Sequence, residues 1–159
     1  MLLTLILVTG CGSRGEVKEL AFKEKAMLNE VEPMAKEINN SYTHWKSGQI
    51  SREQLAEELS VHYSKINSVK AEWVNARNNL SRQTKNNIFY WNLSYMGGLC
   101  TDIQKLIVLA TQGYPSSVIK SSSKPLTDNE LTATYETELV KNYKRDFENV
   151  KSVVSEVIN

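Results

Sequence analysis

The sequence predicts an all-α protein, an antiparallel bundle of four helices of about 30 residues each. Three observations lead there. Proline and glycine are sparse, three and seven in 159 residues, so long helices meet few breaks. Apolar residues recur at three- and four-residue steps over four successive stretches, the period of a helix that buries one face. Two of those stretches open on a complete capping box. No alternating run argues for a strand, and no internal repeat is evident.

The first helix is expected over 16–47. Its stripe is Val17, Leu20, Met27, Leu28, Val31, Met34, Ile38, Tyr42 and Trp45. Pro33 interrupts it, and proline within a helix costs about 3 kcal/mol. A kink there, or a start of stable helix there, is therefore expected, and Gly48 is placed as the closing C-cap residue. The second helix, 52–81, begins on Ser51 and Gln54, which fit a capping box, with Ile50 and Leu55 at the staple positions. Its apolar seam alternates steps of four and three through Leu55, Leu59, His62, Ile66, Val69, Trp73, Ala76 and Leu80, as in a coiled coil.

The third helix is expected over 84–112. Between Asn78 and Asn87 the sequence is rich in Asn, Ser and Thr, which favour caps and turns. From Ile88 to Ala110 apolar residues fall on all sides, which places this helix at the centre of the bundle. Asp102, Gln104 and Lys105 argue against a lipid surrounding, and Gly97-Gly98 would let a neighbouring helix approach closely. Gly113-Tyr114-Pro115 ends the segment. The fourth helix, 128–158, opens on a capping box of Thr127 and Glu130 with Leu126 and Leu131 as the staple. Its stripe is Leu131, Tyr135, Leu139, Tyr143, Phe147, Val150, Val154 and Val157. The competing arrangement has three helices, with 52–112 as one long helix. It leaves the all-round apolar segment poorly covered.

Charge is balanced, Lys+Arg 19 against Asp+Glu 18, so nothing points to nucleic acid. His44 and His62 are the only histidines. Glu58 and His62 could supply two metal ligands, too few for a site, and no metal or other cofactor is expected. No nucleophile elbow, phosphate loop, Cys-x-x-Cys or zinc-protease motif occurs, and the sequence reads as non-enzymatic. Cys100 lies in the most apolar segment and is expected to be a buried, inert thiol. The aromatic residues Trp73, Trp91 and Tyr95 are the candidate contacts for a small apolar ligand or a protein partner. The plainer alternative is that they fill the core.

The N-terminus carries a different signal. Met1 to Val8 are uncharged, with Thr4 the only polar side chain, and Val8-Thr9-Gly10-Cys11 follows. This run resembles the lipobox of bacterial lipoproteins, and the chain looks like the small membrane lipoproteins of Gram-positive bacteria that have no assigned activity. The resemblance covers four residues and the apolar run before them. It implies that residues 1–10 are a signal peptide, that Cys11 is the lipid attachment site and mature N-terminus, and that 11–15 form a spacer ahead of a single domain over 16–159. A basic n-region is missing, which leaves a start upstream of Met1 open. The resemblance further implies a cell-membrane protein, lipid-anchored on the extracytoplasmic face. Its partners are then the membrane, through Cys11, and an unidentified protein contacted through a helix face.

Overall fold

A computed structural model describes residues 3–86, 93–114, 119 and 123–159, with side chains from Arg14 onward. Among the described residues the protein is all-α, a bundle of antiparallel helices without strands. Helix α1 spans Leu3–Lys46, α2 Arg52–Asn78, α3 Arg82–Lys85 and α4 Tyr95–Ala110. The last rod comprises α5, Asp128–Tyr135, a π-helical stretch Glu136–Tyr143, and α6, Lys144–Ile158. α1 packs on α2, α2 on α4, α4 on the last rod, and the last rod returns to α1.

The helix ends follow from local chemistry. Ser51 accepts the Gln54 backbone N–H while Gln54 accepts the Ser51 N–H. Thr127 and Glu130 form the same reciprocal pair. At the end of α1, Gly48 adopts φ of 76°. The Gln49 N–H reaches the His44 carbonyl and the Gly48 N–H that of Trp45, the two bonds of a Schellman motif.

Three expectations are corrected, and the competing three-helix arrangement is excluded. α1 starts before position 16 and passes through Pro33, so stable helix does not begin at the proline. The ring of Pro33 denies the Asn29 carbonyl its helical partner, but both residues are exposed, so water can replace the lost bond. The single 52–112 helix is not formed, because α2 ends at Asn78 with Asn79 as its C-cap. The expected 84–112 rod is instead the short α3 and the separate α4. Ser81 caps α3, and Glu16 of α1 accepts from the Ser81 backbone N–H, the Ser81 hydroxyl and the Thr84 hydroxyl. Those bonds, the Thr84 hydroxyl foremost, lower the Glu16 pKa and fasten the α2–α3 corner to the start of the bundle.

The third correction is the π-helical stretch in the last rod. The stripe there advances Leu131, Tyr135, Leu139, Tyr143, Phe147, always by four. In an α-helix each such step drifts by about 40° around the axis. A π-helix takes more residues per turn and drifts the stripe the other way. Inserting it keeps Leu131, Tyr135, Leu139, Val150 and Val154 all buried against the core.

α4 packs against α2, the last rod and α1, while Tyr95, Lys105 and Val108 stay exposed, so it is covered on most sides rather than all round. Met96, Leu99, Cys100, Ile103, Leu106 and Ile107 are fully covered. Gly97 and Gly98 serve both neighbours: a Cβ on Gly97 would run into the Trp73 indole of α2, and one on Gly98 would meet Asp146 of α6.

Candidate functional site

Of the residues singled out in the sequence, Trp73 is the best placed. It is buried, its ring against the bare backbone of Gly97. Its indole Nε1 donates to Glu24 Oε1 at 2.8 Å, and the Arg77 guanidinium lies over the ring, 4.7 Å from its centroid. Glu24 is completely buried, and its Oε2 has no hydrogen-bond partner among the described residues. Burial raises its pKa from 4.5 to about 8, against the opposing influence of Trp73 and Arg77. The carboxyl is therefore held neutral at pH 7, where it can donate as well as accept.

Glu24 was not among the residues the pattern brought forward. The signal for it exists, because it stands four residues after Leu20 and three before Met27. An acid at a stripe position is an acid in the core.

The structure does not bring Tyr95 to Trp73. Tyr95 is exposed at the start of α4, within electrostatic reach of Arg145 on the last rod. Trp73 approaches from α2. Trp91 lies outside the described residues, as does the side chain of Cys11. Cys100 is fully buried, and burial pushes its thiol up to about 12, which makes it unreactive at neutral pH.

A second polar cluster joins α4 to the last rod. Asp102 and Asp146 are both buried. Arg145 Nε donates to Asp146 Oδ1 at 2.7 Å, and Lys105 stands 3.6 Å from Glu138. Burial first, then the charges of Asp146 and Glu138, raises Asp102 to about 6. A third network lies between α2 and α4, where Lys70 donates to Thr101 Oγ1 and Gln104 Oε1 at 3.0 and 2.7 Å, and Gln104 donates to Asn67. At the opposite end Arg52 donates to the Ala110 carbonyl at 2.7 Å and lies between the rings of Trp45 and Tyr114. It thus satisfies one of the carbonyls that the end of α4 leaves open.

These clusters tie helices together. Among the described residues no group of three His, Cys, Asp or Glu side chains could hold a metal ion. His62 meets Glu37 of α1 at 3.7 Å, and burial lowers its pKa. Also among the described residues, no helix is long and apolar enough to cross a membrane.

Open hollows lie elsewhere on the bundle: a wide one of about 560 Å³ over Gln104, Lys105 and Val108 of α4, bounded by Tyr63 and Glu138, and a longer groove along the seam between α1 and the last rod. Two hollows of about 270 and 320 Å³ run end to end there and share Glu32 and Phe147. Their walls include Leu28, Val154, Leu139 and Tyr143, and Val140 at the rim is half exposed. No protein-family model, curated protein or solved structure matches the chain. The functional reading therefore rests on these residues.

Proposed function

We propose that this protein is a lipid-anchored helical bundle that acts as a non-catalytic binding or assembly module on the extracytoplasmic face of the cell membrane. The lipobox-like Val8-Thr9-Gly10-Cys11 supports the anchor. Two acyl chains on one cysteine give stable attachment, whereas one chain gives only marginal binding. The observation that carries the binding role is the open, apolar-walled groove between α1 and the last rod. The buried polar groups, by contrast, sit between helices and fix the packing. Around Trp73 the space is filled by Gly97, Glu24 and Arg77, which favours a partner on the outer face over a small ligand inside.

Fractionation of cells that express the wild-type chain and Cys11→Ser tests the anchor. Wild type sediments with membranes and the variant is released; a variant that stays membrane-bound refutes it. Photo-crosslinking residues placed at exposed positions on each helix, followed by mass spectrometry, test the module. Recovery of only lipid and self would contradict it.

A further inference from the structure

We infer that the groove between α1 and the last rod is a docking site for an acidic amphipathic helix of a partner protein, an inference that rests on the binding-module reading above. On the α1 side the lining runs from Lys25 to Asn40, about 22 Å at 1.5 Å per residue. That length takes a helix of about four turns. Neighbouring helices pack with axes about 8–10 Å apart, and the valley between two of them is the surface on which a third settles with its apolar stripe inward.

Charge selects the occupant. Lys25 and Lys36 line the groove from α1, and Lys144 and Lys151 from the last rod, against one acidic side chain, Glu32, and the carboxylate of Asn159 in the lining, with Glu148 near Tyr143 beside it; the lysines outnumber these acids. The chain as a whole carries +1, so this basic excess belongs to the groove. Lys36 is already engaged by Glu32 at 3.0 Å, and Lys151 lies 5.9 Å from the centroid of Phe147, extending its stem along the apolar wall. A partner stripe of apolar residues at i, i+3, i+4 and i+7 would cover Phe147, Tyr143 and Val140. Asp or Glu at its flanks would meet the lysines. A second copy presenting the same face would set lysine against lysine, a like-charge arrangement that interfaces avoid. An acyl chain in so shallow a groove would keep one side in water, whereas a helix about 10 Å wide covers both walls.

The test uses the full chain and a defined probe, a fluorescein-labelled amphipathic peptide of about 15 residues with a leucine stripe flanked by glutamates. Its counterpart carries lysines at the flanks. Fluorescence anisotropy is expected to show saturable binding of the glutamate peptide and binding at least about tenfold weaker for the lysine peptide. The double variant Lys144→Glu/Lys151→Glu, checked for an unchanged melt, inverts that preference, while the exposed Lys65→Glu on α2 leaves it unchanged. Equal affinity for both peptides, absence of binding, or indifference to the double reversal overturns the inference.

In cells, a photo-crosslinking residue at Val140 is compared with one at Val61, exposed on α2. Capture at Val140 of a segment that proves acidic and amphipathic supports docking. Capture there of lipid, of a second copy or of a segment of other character overturns it. Crosslinks to protein at Val61 or at another exposed helix position, but not at Val140, refute the groove and leave the module reading standing; protein crosslinks at none of the exposed positions on any helix refute both.

Discussion

Replacing Glu24 by glutamine tests the reading of the core most sharply. The carboxyl is fully buried, with Trp73 Nε1 as its donor, and its pKa stands at about 8 against 4.5 for an ordinary glutamate. A carboxyl whose folded pKa is raised binds its proton more tightly in the folded state. Its contribution to stability is therefore fully favourable below pH 4.5, declines as pH rises toward 8 and is flat above. Each pH unit over which only the unfolded chain is ionised costs about 1.4 kcal/mol. Between pH 4.5 and pH 7 that amounts to a ceiling of about 3 kcal/mol. Glutamine has nearly the same shape, keeps a carbonyl for the Trp73 indole and never ionises. Glu24→Gln is thus expected to be more stable than wild type at pH 7 by up to about 3 kcal/mol and equal to it near pH 4. Urea unfolding followed by tryptophan fluorescence at pH 4, 5.5, 7 and 8.5 measures this. Asp102, raised to about 6, titrates in both proteins and cancels from the difference. Parallel stability curves, or a glutamine variant less stable at pH 7, would show that Glu24 is ionised in the fold, and the reasoning would fail.

Further outcomes follow from the same packing. Gly97→Ala forces a methyl into the Trp73 ring and is expected to cost about 1–3 kcal/mol, read as a lowered urea midpoint. Gly98→Ala meets only a carboxylate oxygen of Asp146 and recovers alanine's better helix propensity, so it should cost less than Gly97→Ala; the reverse order would refute the close approach of Trp73. Thr127→Ala removes a reciprocal cap and should lower stability by about 1 kcal/mol. Cys100 should resist a thiol reagent in the folded protein at pH 8 and react once urea unfolds it; rapid reaction in the folded state would contradict its burial.

What the sequence made legible was local. Ser51 with Gln54 and Thr127 with Glu130 carry their geometry in four residues, and the structure forms both. The deep burial of most of α4 followed from its mainly apolar composition. What escaped depended on partners remote in sequence. Pro33 reads from sequence as a kink or a helix start; that α1 runs on through it rests on its exposure, which lets solvent meet the orphaned Asn29 carbonyl. The four-residue steps after Leu131 were visible, but their winding into a π-helix was set by the need to keep one face on α1 and α4. Glu24 sat in plain view on the stripe; that Trp73 would reach it depended on Gly97, on a third helix. The separate α3 arises because Glu16 of α1 supplies acceptors to Ser81 and Thr84, a bond no local motif announces. Of the proposed site, Cys11 was legible as a resemblance. The groove was not, since its walls come from opposite ends of the chain.

We propose that the bundle is held at the membrane through Cys11. The most direct measurement is the mass of the N-terminal peptide of the mature protein purified from cell membranes. The mature chain is expected to begin at Cys11 and to carry diacylglyceryl on its sulfur. A peptide that retains residues 1–10 with an unmodified Cys11 would contradict it.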